Sequence, residues 1–271
     1  MGIIEAVLLG LLQGITEFLP VSSSGHLALA RAIIARDLET GITFEIVVHF
    51  GSFCSIVVYY RALLGNILSD LFKSLSPQGI RSKRLFTDEN SRLSLIILLS
   101  MIPAMVVGFT LKDTIEEAFL NPFFVSLMLL VTGSLLYSTK FIKEPEKDVN
   151  ANRGFWMGVA QAFAILPGIS RAGSTISLGL LMGVDRDKVA NFSFLMVLPV
   201  IAGAMLLEVI DLISLGEIQI PTSSLVFGFF TSFLAGYFAL SYLIKLLKRR
   251  KFHYFAFYCW TVGIIGVIAF Y

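Results

Sequence analysis

Charged residues are scarce in this 271-residue chain, at 15% of the total, against about 25% in soluble domains. The net charge is only +2, which is too small to attract a nucleic acid and excludes that class of partner. Hydrophobic residues make up 56%, and the mean hydropathy is +0.83. These values indicate a membrane protein, and continuous apolar runs favour helices over a barrel.

Cysteine is also scarce, and no N-terminal targeting signal is indicated. Cys54 and Cys259 are the two cysteines, and each lies in an apolar run with no partner at metal-ligand spacing. We interpret both as small core residues. No Lys or Arg precedes the first apolar stretch, so we expect neither a cleaved signal peptide nor a lipid anchor.

Six apolar runs are long enough to cross a bilayer, which requires about 20 residues. Four shorter apolar segments form two pairs, and each pair is interrupted by a loop rich in Pro, Ser and Gly. We therefore predict an all-α polytopic membrane protein with six transmembrane helices plus two re-entrant helical hairpins. The predicted spans are 43–60, 93–111, 118–139, 189–210, 223–244 and 252–271, and the hairpin segments are 2–18 with 25–35 and 154–166 with 173–183.

Lysine and arginine are concentrated in alternate connections, which predicts the orientation because positive loops stay in the cytoplasm. The pattern places both termini, the 36–42 connection and the first hairpin outside, and the second hairpin enters from the cytoplasm. Arg31 and Arg36 then lie at the outer interface, so we expect access from the outer leaflet. The basic connections are 61–92, 140–153 and 245–251, and those poor in positive charge are 112–117 and 211–222.

An internal repeat accompanies this alternation. The match predicts a first repeat over 1–145, with its hairpin at 2–35, and a second over 146–271, with its hairpin at 154–183. Three spans follow each hairpin, so the two copies have opposite topology, as in inverted-repeat proteins whose broken helices meet near the bilayer midplane. The matched positions are Gly10 to Gln13 with Gly158 to Gln161, Leu19-Pro20 with Leu166-Pro167, Ser23 with Ser170, Gly25 with Gly173, and Phe44 with Phe192.

The first loop follows a helix that carries Gln13 and Glu17 on one face, because they are four residues apart. Pro20 ends that helix. A purely structural interpretation treats the serines after Pro20 as helix caps and His26 as a core residue whose ring is hydrogen-bonded. Polar groups at membrane depth favour a functional site instead. The polar residues after Pro20 are Ser22, Ser23, Ser24, Gly25 and His26.

The second loop places Arg171 between two apolar half-helices. A guanidinium there needs an anionic partner, and its rigid fork suits phosphate. The alternative partner is Glu17 in a purely structural ion pair, and both pairings can hold in the empty protein. Further donors around Arg171 come from Gly168, Ser170, Gly173, Ser174 and Thr175.

Together the loops offer groups for a divalent cation, for phosphate and for nucleophilic attack, which is an inventory for phosphoryl transfer. A site between lipid-exposed helices further indicates a substrate whose tail remains in the bilayer. Two alternatives stay open, namely a transporter or lipid translocase with the same architecture, and a structural bundle. The helical pair Glu45 and His49 either extends the site or lies at the interface.

These loops resemble the motifs of the undecaprenyl-diphosphate phosphatase family, the bacitracin-resistance membrane phosphatases. The family patterns are (E/Q)xxxE, LPVSS(S/T)GH and PGxSRSxxT, which appear here as Gln13 to Glu17, Leu19 to His26 and Pro167 to Thr175. The resemblance spans the chain. One departure is Ala172, which stands where the family usually has Ser and puts one hydroxyl contact in doubt.

The resemblance implies hydrolysis of undecaprenyl diphosphate in the bacterial plasma membrane, with Mg²⁺ or Ca²⁺ required. Bacitracin would compete for the same lipid substrate, and a homodimer is one of the assemblies left open. By position, Gln13 and Glu17 resemble the metal ligands, and Arg171 resembles the diphosphate clamp, with Ser170 and Thr175 as its hydroxyl partners. The implied catalytic residues are Glu17, Ser23, His26 and Arg171, and the remaining substrate-binding residues are Ser22, Ser24, Gly25, Gly168, Gly173 and Ser174.

Overall fold

The structure is a computed structural model that describes residues 1–34, 42–143, 145–215 and 220–271. Within these ranges the chain is helical and contains no β-strand. The predicted all-α class is therefore confirmed. The helices are α1 (Ile3–Phe18), α2 (Ser23–Ile34), α3 (Ile42–Tyr59), α4 (Arg61–Leu75), α5 (Pro77–Arg81), α6 (Arg84–Thr87), α7 (Glu89–Thr110), α8 (Lys112–Phe119), α9 (Pro122–Ser138), α10 (Ala151–Phe163), α11 (Arg171–Leu181), α12 (Arg186–Leu215), α13 (Thr222–Lys248) and α14 (Phe255–Phe270).

The membrane spans follow the hydropathy pattern closely. Five helical stretches are long and apolar enough to cross a bilayer on their own. The predicted span at 43–60 corresponds to α3, which passes the same test only together with α4, and the two helices meet at a bend of 77°. The described residues thus hold five or six candidate spans, and the protein is a multi-pass membrane protein. The five are Glu89–Thr110, Pro122–Phe141, Arg186–Leu206, Thr222–Lys248 and Phe252–Phe270.

The third predicted span begins later than the hydropathy indicates. Residues Lys112–Phe119 form the separate helix α8, and α9 starts at Pro122. Asn121 sets that boundary, because its side-chain oxygen accepts a hydrogen bond from the Phe124 N-H at 3.0 Å, as an N-cap does. The predicted outer connection at 36–42, with Arg36, lies outside the described residues except for its last position, as does part of 211–222.

Both predicted hairpins are helix-loop-helix units. The first joins α1 to α2 through residues 19–22, and the second joins α10 to α11 through residues 164–170. The first unit breaks because Pro20 has no N-H to continue a helix. The second ends α10 at Phe163, four residues before Pro167. These two short loops hold the polar motifs.

Small residues allow helices to pack tightly around these loops. α1 lies along α13, and a Cβ added at Gly10 would come within 2.6 Å of the Gly228 carbonyl oxygen. α10 lies along α7 in the same way, since a Cβ at Gly158 would come within 2.2 Å of the Ser100 carbonyl oxygen. Close backbone approach through small residues is typical of helices in membranes.

Candidate functional site

The two motif loops touch through their glycines. A Cβ at Gly25 would lie 2.8 Å from Gly168 Cα, and one at Gly168 would lie 2.3 Å from the Val125 carbonyl oxygen. Gly168 also has a φ of +94°, a conformation that other residues adopt only with strain. The loops can therefore cross at this point only because both positions lack a side chain.

A left-handed turn at Ser22 starts α2. Its φ is +68°, which is uncommon for a residue other than glycine and occurs preferentially at functional sites. Ser22 Oγ accepts a hydrogen bond from the Gly25 N-H at 3.2 Å, and the Ser22 carbonyl accepts from the His26 N-H at 3.1 Å. The turn places Ser23 in the first position of α2, directly after the sharp change of chain direction.

The second loop is fixed by a threonine outside both motifs. Thr132, on α9, donates to the Gly168 carbonyl at 2.8 Å and accepts from the Ser170 N-H at 3.1 Å. Ser170 Oγ in turn accepts from the Gly173 N-H at 3.0 Å and caps α11. Arg171 is therefore held in the first turn of a helix whose N-terminus faces the first loop.

Glu17 and Arg171 form the ion pair at the centre of the site. Arg171 Nη2 donates to Glu17 Oε1 at 2.5 Å, and the two side chains are 18% and 9% exposed. Glu17 Oε2 accepts from Ser23 Oγ at 3.0 Å and from Gln13 Nε2 at 3.1 Å. One carboxylate thus joins the α1 face, the first loop and the second loop. The ion pair between Glu17 and Arg171, which the sequence offered as one alternative, is therefore present in the structure.

A cavity of about 220 Å³ opens onto this ion pair. It lies between the two loops, α3 and α12, and its apolar wall includes Ile169, Val197 and Ile201. Arg171 Nη1 is buried and has no hydrogen-bond partner among the described residues. Nη1 therefore has no acceptor in the part of the chain that the structure describes. The predicted site residues that line the cavity are Glu17, Ser22, Ser23, Ser24, Ser170 and Arg171.

Other predicted site residues lie behind the cavity wall. The hydroxyls of Ser174 and Thr175 donate to the carbonyls of Ser170 and Arg171, each at 2.8 Å, so they stiffen the first turn of α11. Gly25, Gly168 and Gly173 shape the crossing of the loops. Their predicted contacts with substrate stay predictions.

His26 also lies outside the set of described residues that line the cavity. Its Nδ1 donates to the Ser22 carbonyl at 2.8 Å, because a carbonyl can only accept. With Nδ1 carrying the proton of a neutral ring, Nε2 accepts from the Tyr258 hydroxyl, also at 2.8 Å. Both ring nitrogens are therefore engaged. The ring stacks on Tyr258 of α14.

His49 is the imidazole that lines the cavity. Its Nδ1 donates to the Glu45 carbonyl at 2.9 Å, so in the neutral ring Nε2 is an acceptor. The sequence offered one signal for this residue, a second His in an apolar helix, and did not distinguish a site residue from an interfacial one. In the structure His49 lines the cavity, and its role in the site stays a prediction.

The side-chain oxygens of Glu17 and Gln13 can serve as ligands of a hard divalent cation under one condition. No cluster of three His, Cys, Asp or Glu able to hold a metal occurs in the described parts of the chain. Gln13 Oε1 is buried without a hydrogen-bond partner there, and it lies on the residue whose amide contacts Glu17. Mg²⁺ commonly binds through one or two carboxylates plus substrate phosphates. Glu17 and Gln13 match that pattern if phosphate oxygens complete the shell.

The protein is a multi-pass helical membrane protein in which two loops cross. At the crossing it has a buried carboxylate, a guanidinium and a serine hydroxyl. These are the groups of a membrane-embedded enzyme that acts on anions. The chain belongs to the bacitracin resistance protein BacA family, whose sequence profile matches residues 6–265. It is 41% identical to the undecaprenyl-diphosphatase of Christiangramia forsetii, over 99% of this chain and 98% of that protein. It is 40% identical to that of Bacteroides thetaiotaomicron and 34% identical to that of Methanobrevibacter smithii, each over 98% of this chain and 98% and 96% of those proteins.

Proposed function

We propose that this protein hydrolyses undecaprenyl diphosphate to undecaprenyl phosphate and inorganic phosphate, recycling the lipid carrier of cell-wall synthesis and conferring bacitracin resistance. One observation carries the proposal: Glu17 bonds both Arg171 and Ser23 at the point where the two motif loops meet. The names of the similar proteins agree with that chemistry.

Arg171 binds the diphosphate in this proposal. Its Nη2 stays with Glu17, and its Nη1 donates to a phosphate oxygen. The N-terminus of α11 adds the partial positive charge of a helix end. Positive charge fixed in a site of low water content stabilises the charge that develops on the phosphoryl oxygens.

Ser23 is the attacking group that the geometry favours. Its hydroxyl already donates to Glu17 Oε2, as a nucleophile donates to its base. Ser23 Oγ forms a bond to the terminal phosphorus while its proton passes to Glu17 and the bond from that phosphorus to the bridging oxygen breaks. The lipid phosphate leaves with the bridging oxygen. Water then bonds to the phosphorus of the phosphoserine while its bond to Ser23 Oγ breaks, and Glu17 returns its proton to Ser23 Oγ as inorganic phosphate is released.

A divalent cation, Mg²⁺ or Ca²⁺, belongs to this proposal with Glu17 and Gln13 as its protein ligands. Such a cation neutralises phosphate charge when it is bound. Purified protein is expected to release phosphate from undecaprenyl diphosphate, and a chelator is expected to remove about 99% of that rate, since the loss of one charge-stabilising contact costs about 10²-fold or more. Adding Mg²⁺ or Ca²⁺ back is expected to restore the rate of phosphate release. Lipid movement across a liposome bilayer without phosphate release would instead support the translocase alternative.

His49 and His26 have different roles in the proposed reaction. His49 lines the cavity, and its Nε2 is the ring nitrogen that does not contact the Glu45 carbonyl. In this proposal Nε2 accepts a proton from the water that cleaves the phosphoserine. His26 holds the Ser22 carbonyl and so keeps the left-handed turn that aims Ser23. We therefore treat His26 as a positioning residue.

The His49→Asn variant tests this assignment, because Asn keeps a donor near the Glu45 carbonyl but removes the ring atom at Nε2. Its kcat is expected to fall by about 10²-fold, the lower end for a lost general base. Tyr258→Phe is the matched control, because it removes the second partner of His26 and is expected to leave kcat unchanged. A normal kcat in His49→Asn, or a large loss in Tyr258→Phe, would contradict the assignment.

The finer architecture is also part of the proposal: six transmembrane helices, two re-entrant hairpins and an inverted repeat with a boundary near 145. The packing supports it, because α1 of the first copy lies on α13, the second span of the second copy, while α10 lies on α7, the second span of the first. The aligned glycines Gly10 and Gly158 lie at these two contacts. The third spans, α9 and α14, pack on each other through Gly133 and Gly263.

The distribution of positive charge supports an outward-facing site. With 61–92, 140–153 and 245–251 in the cytoplasm, both termini and the first hairpin lie outside. Substrate then enters from the outer leaflet, where bacitracin competes for the same diphosphate. A homodimer is compatible with this orientation.

A further inference from the structure

We call the cavity at the Glu17–Arg171 ion pair the catalytic cavity. A second cavity adjoins it, and Ser24 and His49 line both. Its volume is about 480 Å³. Among the described residues that line it, all except Ser24, His49 and Glu45 are apolar. We call it the α2 groove, and its apolar walls are Leu27, Ala28 and Ala32 of α2 with Phe119, Leu120 and Pro122 at the junction of α8 and α9.

The groove follows one face of α2. Leu27, Ala28 and Ala32 lie three, four and eight residues after Ser24, which is the spacing of a single helix face. At 1.5 Å per residue, the face from Ser24 to Ala32 is about 12 Å long. Because α2 begins at Ser23, the groove starts beside the proposed attacking hydroxyl and leads away from it.

The distribution of polar groups specifies the kind of ligand. Glu17 and Arg171 lie in the catalytic cavity, whereas the far part of the groove is lined by alanines and by Leu120, which is 83% exposed at the rim. A free phosphate would occupy only the first cavity. A ligand that occupies both must carry an anionic head and a hydrocarbon chain that passes Ser24.

We propose that the α2 groove binds the isoprene units next to the diphosphate of the polyprenyl substrate. This inference rests on the proposed phosphatase function and assigns the binding site of the substrate's tail. The volume lies within the range of about 300–1,000 Å³ that is typical of small-molecule sites. It holds the phosphate-proximal part of a long chain, and the remainder lies in the bilayer.

The Ala32→Trp variant tests the groove, because the indole would fill its far end without touching the ion pair. The KM for undecaprenyl diphosphate is expected to rise about tenfold or more, since losing contact with even two methylene-sized groups is worth about that factor. The KM for a diphosphate with a single isoprene unit is expected to be unchanged. Ala30→Trp is the matched control, on the same half-buried helix but outside the groove lining, and it is expected to affect neither substrate.

Equal KM changes for the two substrates in Ala32→Trp, or the same change in Ala30→Trp, would overturn the groove assignment. A second measurement avoids any effect of substitution on folding. A polyprenyl diphosphate with a diazirine on its second isoprene unit is bound to the unaltered protein and photolysed. Labelled peptides are expected from 24–32 and 119–122. Labelling of the separate cavity near Tyr254 and Tyr258 instead would refute the proposal.

These results separate the groove from the function on which it rests. If the unaltered protein releases phosphate from the single-isoprene diphosphate and labelling falls elsewhere, the groove assignment fails while the phosphatase assignment holds. If no diphosphate is hydrolysed, the proposed function fails, and the groove fails with it as a substrate site.

Discussion

Arg171→Ala is expected to lower kcat/KM for undecaprenyl diphosphate by about 10³-fold or more, the range seen when a transition-state arginine is removed. The reason is that Arg171 Nη1 is the buried donor left for the phosphate, while Nη2 holds the carboxylate that orients Ser23. Arg171→Lys keeps the positive charge but loses the planar guanidinium, which can donate two parallel hydrogen bonds. Its activity should therefore lie between those of the unaltered protein and of Arg171→Ala. The measurement is phosphate release in detergent over a range of substrate concentrations.

The same substitution leaves the Glu17 carboxylate buried without its partner, which costs about 3–5 kcal/mol of stability. The double variant Arg171→Ala with Glu17→Gln should therefore be more stable than Arg171→Ala, although equally inactive. Lys112→Ala is the matched control, because Lys112 pairs with Glu116 at 3.8 Å on the exposed surface and such pairs contribute little. Activity of Arg171→Ala within a few-fold of the unaltered protein would refute the site.

Gly168→Ala is expected to abolish activity and to destabilise the protein by about 2–5 kcal/mol, the sum of a left-handed backbone penalty and of overpacking. Its added Cβ would lie 2.3 Å from the Val125 carbonyl oxygen, so the second loop must shift. A displacement of about 1 Å at a catalytic group can cost 10²-fold in rate. Thermal unfolding and phosphate release measure the two effects.

Gly25→Ala should show the same loss of activity, because its Cβ would meet Gly168 Cα at 2.8 Å. Gly108→Ala is the control for the general effect of replacing a helical glycine. A Cβ there meets nothing within 4 Å, so no loss of activity is expected. If Gly168→Ala and Gly108→Ala behaved alike, the two loops would not depend on their contact through glycine.

The pairing of Glu17 with Arg171 could be predicted from the sequence for a physical reason. A lone charge at membrane depth is costly, and few opposite charges are available within the apolar segments, so the choice of partner was narrow. The spans could be predicted for a similar reason, because bilayer thickness fixes their length. The helix boundary at Pro20 followed from local chemistry, whereas the start of α9 at Pro122 differs from the predicted start at 118, because hydropathy does not detect the Asn121 cap.

The roles of the two histidines could not be predicted in this way. A His in the first turn of a helix can face either side, and His26 faces Tyr258, a residue of α14 that is far away in the sequence. Thr132 was likewise missed, because a threonine in an apolar span gives no local sign that it holds a loop of another helix. Contacts of this kind depend on helix rotation, which the pattern of hydrophobic residues does not determine.

The packing of α1 on α13 has a consequence for how the chain is made. Gly10 and Gly14 lie against 228–236 of α13, so α1 meets the helix on which it packs only after α2 to α12 have been synthesised. Until then its small-residue face is covered by lipid or by the insertion machinery. Nascent chains that stop before α13 would carry every proposed catalytic side chain and still lack the helix on which α1 packs.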